Sequence, residues 1–201
     1  MGGTFDPPHI GHLMMAEEVR RHLRLGEVIF IPAGEPWVKA SQKVSPAAER
    51  LEMVKLAVVG RPYFSVSDTE VRRPGPSYTW ETLDELHRSY PGDELYFILG
   101  WDNLTALPKW HKPERIIAAA CLAAAPRVGS PRPDLKALEA AVPGIGQRTV
   151  ILTEPEIDVS ATAIRQRVEL GQPIDHLVPP GVAEYISARG LYRRKVGNSN
   201  I

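Results

Sequence analysis

Apolar and polar positions alternate along this chain in short blocks with two different periods. Over residues 11–25 the apolar positions Leu13, Ala16, Val19 and Leu23 recur every three or four residues, which predicts a helix with Gly26 just past its end. Residues 27–32 (EVIFIP) form a compact apolar run of strand type, and residues 33–44 a loop carrying Pro36, Trp37 and Lys39. Ser45 and Pro46 suit an N-cap and a first helical residue, opening a helix that reaches Val59. Residues 63–68 alternate like a strand, and residues 72–76 break the chain. A helix over 77–90, with Leu83 and Leu86 inward, precedes a buried strand at 94–99 (ELYFIL). Proline-punctuated helix follows over 103–119, then a strand at 120–125, a short helix at 134–141 and a strand at 148–152. Helices at 160–170 and 181–188 complete the pattern.

Strand alternating with helix predicts an α/β fold: a mainly parallel sheet with helices on both faces. Ligands of such sheets bind beyond the carboxyl ends of the strands, where the strand order reverses. With 201 residues the chain can build one sizeable core, so a single domain is expected over residues 1–192, with a polar tail over 193–201. Lys plus Arg and Asp plus Glu number 24 each, a balance that gives no general attraction to nucleic acid or a membrane surface. Any anion site must therefore be local. Cys121 is the only cysteine, which excludes an intrachain disulfide or a cysteine metal cluster. No apolar run is long enough to span a bilayer, and the first residues lack the pattern of a secretion signal; a cytoplasmic protein is expected.

Two segments carry chemistry. In the first, Gly2-Gly3-Thr4-Phe5-Asp6-Pro7-Pro8-His9-Ile10-Gly11-His12, the glycines let backbone approach a ligand, and the Asp-Pro-Pro turn leads straight into a helix start. Free N–H groups and positive dipole character at that start suit phosphate. His9 and His12 lie three apart and can face one ligand. The spacing alone also fits a solvated pair or two metal ligands, although no third His or Cys lies nearby. In the second segment, Asp158-Val159-Ser160-Ala161-Thr162-Ala163-Ile164-Arg165, Ser160 has the chemistry of a helix cap, and Arg165 can clamp phosphate in a bidentate way. Taken alone, this too fits a plain cap with an exposed arginine.

The first segment closely resembles the GGxFDPxHxGH signature of the nicotinate-nucleotide adenylyltransferase family, within the HxGH nucleotidyltransferases. The second resembles the family's ISxTxIR motif, with Val159 for the usual Ile. Residues 77–83 (SYTWETL) are similar to its SYTxxTL segment, Gly100-Trp101-Asp102 to its G-x-D, and residues 32–39 to its P-x-G-x-P-W-x-K loop. Trp110 stands where the family places a ring-stacking tryptophan. Arg50 matches a basic family position, and residues 177–192, ending Gly190-Leu191-Tyr192, fit the family's closing segment. The resemblance covers essentially the whole chain and implies a Rossmann-like nucleotidyltransferase fold. It implies transfer of the adenylyl group of ATP to nicotinate mononucleotide in NAD biosynthesis, with Mg²⁺ arriving on ATP. His12 and His9 would be catalytic. Gly2, Gly3, Thr4, Phe5, Gly100, Asp102, Ser160, Thr162 and Arg165 would join them in holding ATP, and Lys39, Tyr78, Thr79, Thr82 and Trp110 would serve the mononucleotide. Nicotinamide mononucleotide and pantetheine phosphate are competing acceptors, and a nucleotide-binding module without turnover is the reading of another class. One departure stands out: only Met1 precedes Gly2, where family members carry an apolar strand, so an apolar segment is expected upstream of an internal Met1.

Overall fold

The computed structural model describes residues 1–37, 44–156 and 158–194. The strands are β1 (Gly2–Gly3), β2 (Val28–Pro32), β3 (Phe64–Val66), β4 (Tyr96–Gly100), β5 (Cys121–Ala125) and β6 (Thr149–Ile151). The helices are α1 (Ile10–Leu23), α2 (Ala47–Val58), α3 (Thr69–Arg72), α4 (Thr79–Ser89), α5 (Trp101–Ala106), α6 (Pro113–Ala119), α7 (Leu135–Ala141), α8 (Ala161–Glu169) and α9 (Pro180–Arg189). All strand pairings are parallel, in the orders β1-β2-β3 and β4-β5-β6. β1 lies against β4: a Cβ on Gly2 would sit 3.5 Å from the Phe97 ring. The strand order thus runs outward in opposite directions from this seam.

Alternation along the strands splits the core between two faces. Ile98, Ala123 and Ala125 pack with Leu13, Val19, Met53, Ile164 and Ile186, whereas Phe97, Leu99, Leu122 and Ala124 pack with Leu83, Leu104, Ile116 and Leu138. Helices α1, α2, α8 and α9 therefore cover one face and α4 to α7 the other, as a two-sided parallel sheet requires. None of the described helices is long and apolar enough to cross a membrane.

Three local expectations change. Helix α1 closes before Gly26, through Arg24 in the left-handed region at φ 54°; its N–H reaches the carbonyls of Arg20 and Arg21. That conformation disfavours a side chain by roughly 1–2 kcal/mol, and the basic last turn (Arg20, Arg21, His22) offsets part of this by facing the helix dipole. Pro46, not Ser45, occupies the cap of α2, and the Ser45 N–H instead binds Asp6 Oδ2 at 3.2 Å. Helix α3, just ahead of the expected break at 72–76, is four residues long, too short for a periodic signal.

Candidate active site

A cavity of about 390 Å³ opens where β1 and β4 end, at the seam of the strand order. Thirteen of the residues singled out in the sequence line it: Gly2, Gly3, Thr4, Phe5, His9, His12, Thr79, Gly100, Asp102, Trp110, Ser160, Thr162 and Arg165.

His9 caps α1 in an extended conformation, and its ring stacks on that of His12 with centroids 3.6 Å apart. The His9 N–H donates to His12 Nδ1 at 3.1 Å. A neutral His12 therefore carries its proton on Nε2. Phe5 presents its ring edge-on to His12, centroids 5.0 Å apart. Gly3 is required here, because a Cβ would approach the Phe5 ring to 3.0 Å. His9 is 4% exposed, and its Nδ1 is buried without a partner among the described residues. Burial, and secondarily the Arg127 charge, push the His9 pKa down to about 3, so the ring is neutral near pH 7. A neutral His9 ring and the His12 ring stacked on it are thus held at the positive end of a helix.

The second helix end comes from α8. Ser160 Oγ accepts the Ala163 N–H at 3.1 Å. Arg165 donates to the Asp6 carbonyl at 2.8 Å and to Thr162 Oγ1 at 3.3 Å, which fixes its guanidinium at the cavity wall. Arg127, just beyond β5, enters the cavity from the opposite half of the sheet and meets Asp102 Oδ2 at 3.4 Å. A Cβ on Gly100 would lie 2.5 Å from Asp102 Oδ1, so any side chain there would push that carboxylate aside. Two helix N-termini and two guanidinium groups therefore converge on one space, a phosphate environment made without net protein charge.

At the far end Trp110 packs edge-on to Phe97, ring centroids 6.1 Å apart. Thr79 opens α4, whose cap residue Tyr78 makes no side-chain capping bond. The Tyr78 ring stacks on His111 with centroids 4.4 Å apart and does not line the cavity. Thr82 lines a neighbouring groove; its hydroxyl donates to the buried Glu70 at 2.7 Å and accepts from Arg73 at 2.5 Å. Lys39 lies outside the described residues. Arg50 is neither solvated nor on the cavity: 1% exposed, it donates to the carbonyls of Ser45, Thr4 and Gly34 at 2.8 to 2.9 Å. The sequence reading missed Arg127. Its signal was available, since it follows the apolar strand CLAAA at a carboxyl end, where ligands of parallel sheets bind.

The cytidylyltransferase-like family model matches residues 1–167. The fold, with helix N-termini and guanidinium groups at the seam, thus defines a nucleotidyltransferase. A protein of Dehalococcoides mccartyi named "Probable nicotinate-nucleotide adenylyltransferase" is 54% identical over 97% of this chain and 96% of its own length. A protein of the same name from Thermomicrobium roseum is 45% identical over 96% of this chain and 89% of its own. The chain belongs to the nicotinate-nucleotide adenylyltransferase family. Its fold matches that of a Plasmodium falciparum nicotinic acid mononucleotide adenylyltransferase complexed with NaAD, with a TM-score of 0.78 at 17% identity over 95% of this chain and 94% of that one.

Proposed function

We propose that this chain transfers the adenylyl group of ATP to nicotinate mononucleotide, giving nicotinate adenine dinucleotide and pyrophosphate. The observation that carries the reading is the stacked His9–His12 pair facing the capped start of α8 and Arg165 across one cavity. A 5′-phosphate oxygen of the mononucleotide, already anionic, attacks the α-phosphorus of ATP. A P–O bond forms, the bond to the bridging oxygen of the β-phosphate breaks, and pyrophosphate leaves. No group has to remove a proton, so catalysis is positioning plus stabilisation of charge. His12 Nε2–H donates to the α-phosphate as its charge grows, while His9, Thr4, Ser160, Thr162 and Arg165 hold the phosphates. Arg127 is placed for the acceptor phosphate or the leaving group. Gly2, Gly3 and Phe5 shape the phosphate loop, and Gly100 and Asp102 the nucleoside side of the cavity.

Trp110 offers a face for the pyridine ring. The uncapped start of α4 at Thr79 offers N–H groups that favour the nicotinate carboxylate over the nicotinamide amide. Tyr78, Thr82 and Lys39 belong to the surroundings of that end. The cavity lining offers imidazole, guanidinium and N–H groups beside the carboxylates of Asp6, Glu70 and Asp102. Such a lining suits a Mg²⁺ that arrives on the ATP phosphates with water as its other ligand. The test is pyrophosphate release from ATP with each mononucleotide. Turnover with a clear kcat/KM preference for nicotinate mononucleotide is expected. Equal values or a preference for the amide would overturn the acceptor assignment, and ATP binding without pyrophosphate release would overturn catalysis.

A further inference from the structure

Asp6, 4% exposed and just ahead of the histidines, joins four segments of the chain. Its Oδ1 accepts from the Tyr192 hydroxyl at 2.7 Å, its Oδ2 from the Ser45 N–H at 3.2 Å, and its carbonyl from Arg165 at 2.8 Å. Tyr192 arrives by a defined route. Gly190 ends α9 in the left-handed region at φ 60°, the Leu191 N–H returns to the Ile186 carbonyl at 3.0 Å as in a Schellman closure, and the chain doubles back onto the core. Tyr192 itself holds φ 62°, a region that side chains other than glycine rarely adopt, so its placement rests on what the ring and hydroxyl touch. The ring packs against the α1–α2 core, and the hydroxyl lies 3.9 Å from Met53 Sδ. Burial, then the Asp6 carboxylate, push the phenol pKa upward, so it stays protonated and donates.

We infer that Tyr192 is a positioning residue for the reaction: its hydroxyl fixes Asp6, and through Asp6 it fixes the turn that aims His9 and His12. This rests on the function proposed above. Tyr192 touches no substrate, and it is absent from the cavity wall, whereas Asp6 borders it. Losing the hydroxyl bond to Oδ1 would loosen the turn and misalign the imidazoles while the Asp6 carbonyl keeps its bond to Arg165, and misplacement of about 1 Å far from the chemistry can cost about a hundredfold in rate.

The test is Tyr192→Phe, which keeps the ring and its packing and removes the hydroxyl. At a temperature well below unfolding, kcat is expected to fall about tenfold to a hundredfold, with KM for both substrates within about twofold. Asp6→Asn should lower kcat as well, and the double variant should lose little more than the worse single one. A readout independent of turnover is the ring-proton resonances of His9 and His12 in the folded protein, which should move in Tyr192→Phe. If the parent releases no pyrophosphate, the proposed function fails, and the resonances alone decide the clamp. Unchanged kcat in Tyr192→Phe, additive losses in the double variant, or unmoved histidine resonances would each overturn it.

Discussion

The His9 N–H donates to His12 Nδ1 while the two rings stack, so one helix start fixes both the tautomer and the tilt of His12. The bond lies within a single helical turn. On the proposed mechanism it makes His12 a donor whose strength is felt as charge develops on phosphorus, rather than an anchor for bound ATP.

His12→Ala is therefore expected to lower kcat by roughly a hundredfold or more. The dissociation constants of ATP and the mononucleotide should change far less. Steady-state kinetics alongside calorimetric binding separates the two, and a near-normal kcat would remove His12 from the mechanism.

Arg165→Ala combines two effects that sequence alone kept apart. The guanidinium is a candidate clamp for the triphosphate, and it also holds the Asp6 carbonyl. ATP affinity should fall more than mononucleotide affinity, with a small drop in thermal stability from the lost loop contact. A titration giving the opposite ranking of the two ligands would show that the α8 arginine is not a triphosphate clamp.

Much of this was legible in the chain because the signals are local. The unbroken apolar runs ELYFIL and CLAAA mark strands buried on both faces, and Ser160 caps α8 as its chemistry predicts. What escaped depends on distant partners. Arg50 reads as a cation on a helix, yet its three acceptors come from Thr4, Gly34 and Ser45. Asp6 reads as a turn residue, and its partner Tyr192 lies 186 positions away. Arg24 adopts a glycine-like backbone because α1 ends two residues earlier than the nearest glycine allows.

Arg50 gives a stability prediction of its own. Its guanidinium is buried, and burial is the first influence on its pKa, which shifts downward. Arg50→Met keeps apolar bulk and strands three part-buried carbonyls. Each orphaned group costs about 1–3 kcal/mol, so a loss on the order of 3 kcal/mol is expected in urea unfolding. Ligand affinities measured on the remaining folded protein should change less than in Arg165→Ala; a variant as stable as the parent would show that those carbonyls find other partners.

Stability should also depend on pH near neutrality, through two buried bases. The His9 pKa falls from 6.5 to about 3, and the Met1 ammonium, buried and bonded to the Ile29 carbonyl at 2.7 Å, falls from 8.0 to about 5. Burial lowers both. Each group binds its proton more tightly when unfolded, so its contribution is complete above the unfolded value and is lost as pH falls towards the folded one. That places the Met1 effect between pH 8 and 5 and the His9 effect between 6.5 and 3. Glu70, raised by burial, acts oppositely: its contribution is present below 4.5 and lost as pH rises through its raised value. Both bases act between about 5 and 6.5, so unfolding free energy should rise with pH across that range, and the Met1 contribution continues to rise to about 8 against that of Glu70. Acetylating the terminal amine keeps an N–H for Ile29 and should flatten the upper part of that slope. Identical slopes for the two forms would mean that the amine is solvated.

The same terminus borders a groove of about 360 Å³ between β2 and β4, lined by Val28, Ile29, Leu83, Leu86, Tyr96 and Phe97. β1 pairs with Ile31 and Pro32 only, and β4 has its ladder partner on the β5 side. The groove thus offers strand edges on both flanks and apolar side chains, the setting of a central parallel strand. Extending the chain ahead of Met1 by about five Val and Ile residues should fill it. A fully buried Val or Ile contributes about 1.5–3 kcal/mol and each ladder bond about 0.5–1.5 kcal/mol. Ordering the backbone costs about 1–2 kcal/mol per residue. The difference is a net gain of a few kcal/mol, which for a chain of this length corresponds to a rise in Tm of roughly 5–10 °C. A Gly/Ser extension of equal length gains neither burial nor β preference and should leave Tm near that of the parent. Both are compared at about pH 9, where the terminal amine is neutral in the folded and the unfolded chain and its titration drops out. Equal melting temperatures for the apolar and the Gly/Ser extensions would show that the groove does not take a strand.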